Sequence, residues 1–252
     1  MLSYLSCLFL VLTLIGLVNL PLHADIKLDK HIHADALREE GKSLEAINLY
    51  NEVIIADLAK KDYSSLLGAL TGRLLAWKHL FYKTNDPIYA LFVKKEAETM
   101  LDIAKTYGFT NRMYLLHFLS ATSASLLNDH GVAEKEFQQA VDLYPIDNAE
   151  KGNWIAHLGH AMYLNGKKEK GKQTILLGVQ KINSHSSTLD SFLMHVWVSG
   201  AYLRLAKLIE QDDPNESQVY LNQAKEIINS DSRLVIRKQQ LEDYLNARSP
   251  NE

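Results

Sequence analysis

Between Gly131 and Asn183 the chain alternates short apolar-periodic segments with small residues at fixed offsets. Val132 to Tyr144 carries Ala133, Phe137 and Ala140 on one helical face and is stopped by Pro145. After a turn comes Ile155-Ala-His-Leu-Gly-His-Ala-Met-Tyr163, then Asn165-Gly166, then a segment bearing Gly171, Ile175 and Gly178. Small residues on either side of a bulky one, on paired short segments, mean helices packed closely as antiparallel hairpins. Gly171 stands 38 residues after Ala133. Recurrence at a near-fixed period means hairpins stacked into a solenoid. Elsewhere no segment sustains the period-2 alternation of a half-buried strand. The expected fold is therefore all-α, an α-solenoid of helical hairpins.

The 252 residues are 47% hydrophobic and 23% charged, enough apolar side chains to fill a core of that kind. The formal charge of −3, with no basic face, argues against nucleic acid as a partner.

Leu2 to Leu22 carries no charge and ends in Pro21-Leu22-His23-Ala24 before the first acid, Asp25. Two readings compete. As a signal peptide, residues 1–24 are removed after Ala24, a small residue of the kind signal peptidase accepts, and the domain is exported, periplasmic or secreted. As an anchor, residues 2–22 reach the ~20 apolar residues that span a bilayer. Lys27, Lys30, Arg38 and Lys42 would then hold the following domain on the cytoplasmic side. Cleavage removes that conflict and the boundary is abrupt, so export is the preferred expectation. The sole cysteine, Cys7, lies inside the apolar run, so the remaining domain has no disulfide.

From Asp25 the pattern is helix after helix, one elongated domain over residues 25–247 with a frayed tail at 248–252. Asp29 is positioned to cap a first helix ending at Glu40 and Gly41, and Ser43 to cap a second. Ala46, Tyr50 and Val53 repeat the small–large–small face. A longer helix starts at Asp62 or Ser64 and runs to about Tyr82, with Gly68, Ala69, Gly72 and Ala76 as a small-residue face. Asn85-Asp86-Pro87 starts a helix with Ala97, Leu101 and Ala104 that ends at Gly108. Thr110 or Asn111 opens a helix to Leu127. Helices 149–164, 168–182, 189–211 and 216–228 follow, the last with Ser217, Leu221 and Ala224. Ser230 or Asp231 caps a final helix to Asn246.

These residues resemble the tetratricopeptide repeat family. Ala133-x3-Phe137 with Pro145 matches the second half of its pattern, and Ile155-x2-Leu158-Gly159-x2-Met162 the first half. Gly41 through Val53 matches the turn and second helix. The resemblance covers residues 30–230 as about five hairpins and implies a right-handed α-solenoid, with the last helix as a C-terminal cap. It implies a non-catalytic scaffold whose first helices line a concave groove that holds a peptide or protein. If Gly159 and Gly200 occupy equivalent sites, the family offsets put Asn153, Ala156, His160 and Tyr163 on one groove stripe. Trp197 and Arg204 fall on the next. Asn153, His160, Tyr163, Trp197 and Arg204 are thus the candidate partner-binding residues, since Trp, Tyr and Arg are enriched at binding hot spots.

No catalytic, cofactor or metal site is expected. His157 and His160 can share a helix edge, but a zinc site needs further converging ligands and the domain lacks cysteine. His31 and His33 diverge on a helix. The hydroxyls of Ser120, Thr122, Ser123 and Ser125 lie mid-helix, where they bond to the preceding turn rather than act as nucleophiles. Three functions stay open: an exported scaffold gripping a peptide or protein, a membrane-anchored assembly component acting through its convex face or last helix, and an enzyme or transport-associated domain with a small-molecule pocket.

Overall fold

The computed structural model describes residues 22–248, with side chains from Lys30 onward. The apolar segment up to Pro21, Cys7, residues 249–252 and the side chains around Ala24 lie outside the described residues. Helix is the dominant secondary structure, and no strand occurs among the described residues.

Two compact units meet in sequence between Gly108 and Phe109. The first holds α1 (Leu22–Glu39), α2 (Ser43–Lys60), α3 (Tyr63–Thr84) and α4 (Pro87–Tyr107). The second opens with a 3₁₀ turn at Thr110–Arg112 and holds seven helices. They are α5 (Met113–Leu126), α6 (His130–Leu143), α7 (Ala149–Leu164), α8 (Lys168–Ser184), α9 (Ser191–Ile209), α10 (Pro214–Ser230) and α11 (Val235–Arg248). Within each unit successive helices pack in chain order, a solenoid-like arrangement of hairpins. α7 also packs on α9, and α8 touches both.

Short polar side chains set the helix starts. Asp62 accepts a hydrogen bond from the Ser65 N–H at 3.1 Å, Asp129 from Val132 at 3.2 Å and Asn148 from Lys151 at 3.0 Å. Asp86 and Asp213 cap helices whose first residue is proline, where the missing N–H costs nothing. Left-handed residues Gly41, Gly108 and Gly166 end or turn the helices, as does Asn85.

Several expected boundaries move. α1 begins at Leu22, so Asp29 lies inside it rather than capping it. Ser43 is the first residue of α2, buried, and Lys42 precedes it without a side-chain cap. The Gly41 turn explains this: the Gly41 and Lys42 N–H groups already bond back to Arg38 and Leu37, at 3.0 and 2.9 Å, so the chain re-enters helix at once. Ser230 closes α10, and α11 starts only at Val235, after a turn in which Asp231 accepts from the Arg233 N–H.

The small–large–small faces are the buried faces. Ala46, Tyr50 and Val53 are buried in unit one; Ala133, Phe137 and Ala140, Gly171, Ile175 and Gly178, and Ser217, Leu221 and Ala224 in unit two. Burying a ring such as Phe137 contributes about 2–3 kcal/mol. In α4 the buried large residue is Met100, with Leu101 half-buried beside it.

The small faces differ in use. Along α3, Gly72 leaves a notch that the Tyr50 ring fills, since a Cβ there would lie 2.3 Å from the ring. The Tyr50 hydroxyl donates to Asp35 at 2.6 Å, and Arg38 bridges both. Between α7 and α8 the backbones themselves touch. A Cβ on Gly171 would meet the Tyr163 nitrogen at 2.5 Å and the Gly159 carbonyl at 2.7 Å. Two turns away, Gly152 and Gly178 oppose each other in the same way.

Candidate functional site

The residues singled out for a groove stripe all lie in unit two, on α7 and α9. α7 starts under the Asn148 cap and runs uninterrupted through Asn153, His160 and Tyr163. Its glycines let α8 lie close on one side, which leaves other faces of α7 to meet α6 and α9. α9 starts under Asp190, whose carboxylate accepts from the Phe192 and Leu193 N–H groups.

His160 and Arg204 are brought together across this pairing. Burial, with the Arg204 guanidinium and His130 nearby, pushes the His160 imidazole down to about 3, so it is neutral at physiological pH. Trp197 is half-buried and packs on the core formed by Ala156, Ile175, Val198, Ala201 and Leu205. Asn153 is buried. Tyr163 is also buried, and its hydroxyl donates to Asp212 in the α9–α10 turn at 2.6 Å. Lys168 reaches the same carboxylate at 2.7 Å. This pair holds Asp212 below the usual carboxylate range, while burial and the Asp212 charge push the Tyr163 phenol up. Tyr163 therefore ties α7 to the next turn.

His157, three residues from His160, looks the other way. Its ring sits edge-on to Phe118 at 5.2 Å and tilted against Phe137 at 5.6 Å. The same aromatic cluster stacks Phe118 on Trp154 and brings in Tyr114 and Tyr144. His31 packs edge-on to Tyr50, whereas His33 is exposed. Thr122 and Ser125 donate to the carbonyls of Phe118 and Ala121, four residues back. Among the described residues no group of three or more His, Cys, Asp or Glu side chains is placed to hold a metal ion.

The neighbours of Gly159 and Gly200 differ. Gly159 faces α8 backbone, whereas a Cβ on Gly200 would meet the Arg237 guanidinium of α11 at 2.6 Å. On α9 the close hairpin contact falls instead at Ala206, whose carbonyl accepts from the buried Ser217 of α10 at 2.8 Å. Gly200 thus seats Arg237, which also donates to the Val196 carbonyl at 3.1 Å. Lys207 lies beside it, over the Tyr244 ring at 4.9 Å, and burial with Arg237 and Arg204 pulls its ammonium down. Arg237, Lys207 and His130 escape a sequence reading. The one available signal is a mid-helix glycine without a small partner on the adjoining helix.

A second polar cluster joins α9 to the turn before α11. His195 Nδ1 lies 3.0 Å from Asp231 Oδ2, and Arg233 donates to both carboxylate oxygens of Asp231 at 2.8 and 2.7 Å. The Arg233 hydrogen bonds, with the help of His195, hold the Asp231 carboxyl well below its ordinary range.

The chain matches no protein-family model, and no curated protein matches it in sequence. Among solved structures it is similar to the crystal structure of BtubC (BKLC) from P. vanneervenii, with a TM-score of 0.53 at 16% identity. That likeness covers 88% of this chain and 82% of that one, and at such identity it is a likeness of fold. The fold so supported is all-helical.

Proposed function

We propose that the protein is a non-catalytic scaffold of tetratricopeptide-like hairpins that holds a peptide or protein segment against the α7–α9 face. The supporting observation is the direct packing of α7 on α9 with α8 touching both, the layering that lines up first helices in such repeats. It places His160 beside Arg204, with half-buried Trp197 on the same helix as Arg204. A neutral imidazole, a guanidinium and an indole suit an extended peptide, offering hydrogen bonds, charge and a flat apolar surface. Tyr163 and Asn153 support this face from within. From the sequence, the scaffold acts outside the membrane as a mature chain starting at Asp25. N-terminal sequencing from the native host tests that part; an intact Met1 with a protease-shielded domain overturns it.

The binding test uses displayed random linear peptides selected on the full chain. Selected peptides are expected to lose about tenfold in affinity for Arg204→Glu or Trp197→Ala, the loss typical of an interface anchor. Peptides that bind both variants as well as the parent would remove the α7–α9 face from consideration.

A further inference from the structure

Cations gather where α9 meets α11. Gly200, Arg204 and Lys207 follow one another at helical spacing on α9 and share one face of it. Arg204 and Lys207 stand about 6 and about 10 Å along the axis from Gly200. No side chain projects from Gly200, and α11 fills the notch with a third cation: the Arg237 guanidinium carbon lies 2.8 Å from where a Cβ would be. Two neutral acceptors steady Arg237 there, the Val196 carbonyl at 3.1 Å and the Gln240 side chain at 2.5 Å. Lys207 ends over the Tyr244 ring, at 4.9 Å, rather than on a carboxylate. Burial pulls its ammonium down, and so do the charges of Arg237 and Arg204, against the opposing pull of Asp243. The three cations therefore share one electrostatic neighbourhood.

The local charge balance points to the ligand. Around Lys207, three positive charges face the one negative charge of Asp243 among the described residues. The next acid along α9, Glu210, is taken up by Arg248 at 2.7 Å and by the Tyr244 hydroxyl at 2.9 Å. From α7, His160 borders Arg204 as a neutral imidazole. A single carboxylate would cancel one of the two excess charges. A phosphate group carries about −1.5 to −2 near neutral pH and has three acceptor oxygens, so it can cancel both and take a donor from each cation. Guanidinium forks match phosphate oxygens in geometry, and a lysine adds a point charge.

We propose that the α9–α11 face binds a phosphate group, as the free ion or as a phosphomonoester, between Arg204, Lys207 and Arg237. The site shares Arg204 with the α7–α9 reading but needs no peptide, and Lys207 and Arg237 lie outside that reading.

The experiment follows the NMR resonances of the full chain near neutral pH and at constant ionic strength, which holds general screening fixed. The titrants are inorganic phosphate, N-acetylphosphoserine amide and acetate. Both phosphates are expected to shift the resonances of Gly200, Lys207 and Arg237, with acetate about tenfold weaker. Whichever phosphate binds more tightly identifies the source. Lys207→Met and Arg204→Gln should each weaken phosphate about tenfold, as expected for loss of one charged contact, while Lys207→Arg retains it. Lys170→Met, which removes an exposed lysine of α8, should leave binding unchanged. An unchanged melting temperature confirms that the variants fold, and the comparison of phosphate with acetate needs no variant. No shift with either phosphate, equal affinity for acetate, or equal losses in Lys170→Met and Lys207→Met overturns the proposal. A chain that binds phosphate but yields no selected peptide overturns the α7–α9 reading and leaves this one standing; peptide binding without phosphate binding does the reverse.

Discussion

The α7–α8 and α3–α4 hairpins are joined by turns of similar brevity but hold together by opposite means. α7 and α8 meet through glycine pairs, largely backbone on backbone, with the Ile175 and Ile182 side chains of α8 set against Gly159 and Gly152. α3 and α4 are clamped by a polar fork. Arg73 donates to both oxygens of Glu96, at 2.7 and 3.0 Å, and to Asn51 of α2 at 2.6 Å. The first arrangement gains dispersion contacts along the helices and tolerates no added volume. The second depends on a charge pair that is strong only while complete. The two hairpins should therefore fail differently, the first by addition of an atom and the second by loss of a partner.

The largest effect is expected at Gly171→Ala. The new Cβ must displace the α7 backbone, so a urea titration should show a loss of about 3 kcal/mol. That exceeds the about 1 kcal/mol that alanine gains over glycine inside a helix. The control is Gly131→Ala in the same unit, where the nearest atom outside the local chain is 4.0 Å from the new Cβ. It should be neutral or gain about 0.5 kcal/mol. If Gly171→Ala behaves like the control, the backbone contact between α7 and α8 does not exist.

Next comes Glu96→Ala, which leaves a half-buried guanidinium without its carboxylate. The expected loss is about 2 kcal/mol, below the full range for a buried pair because Arg73 retains some solvent and Asn51. Glu96→Gln, keeping one acceptor, should cost less. Equal stability for the alanine variant and the parent would mean that apolar packing alone holds α3 to α4.

The most local effect is acid sensitivity confined to unit two. His160 folds with its imidazole depressed to about 3, against an ordinary value of 6.5. Its contribution is thus fully present above 6.5 and is lost progressively as pH falls from there toward 3. Between pH 7 and about 5, amides of α7 and α8 should lose exchange protection, corrected for intrinsic rates, while those of α3 keep theirs. His160→Asn should flatten the response; an unchanged pH dependence in that variant would assign the effect elsewhere.

The contrast also explains what could be read from the sequence. α7 falls at its expected limits because Asn148, Asn165 and Gly166 are local signals whose chemistry acts within a turn. Gly171 and Gly178 are legible for the same reason, as small residues at helical spacing, but that they meet Gly159 and Gly152 across the hairpin comes only from the structure. Asp29 and Ser43 misled because each has cap chemistry, while the decision came from the chain on either side of it: helix continuing upstream of Asp29, and the Gly41 turn leading straight into Ser43. Leu101 and Met100 are adjacent, and only the direction from which α3 approaches decides which is buried. The candidate site was harder still. That Tyr163 would find Asp212, or that Arg237 would lie over Gly200, depends on where α9 and α11 come to rest, which no spacing within α7 or α9 encodes.

The glycine contact between α7 and α8 also bears on how the chain folds. Its partners are close in sequence, joined only by Asn165-Gly166-Lys167. Bringing them together closes a very short loop, and the entropy of closure is small. The contact is made mainly by backbone, and the Ile175 and Ile182 side chains beside it belong to the same hairpin, so it can form while the rest of the unit is still open. We expect this hairpin to nucleate unit two, so that substitutions at Gly171 slow refolding, whereas disruption of the α9–α11 contact at Arg237 mainly speeds unfolding. Stopped-flow rates that place both changes on the unfolding limb would instead put nucleation in another hairpin. A chain emerging residue by residue would then have a stable platform by the time α8 is complete, ready for α9 to settle against.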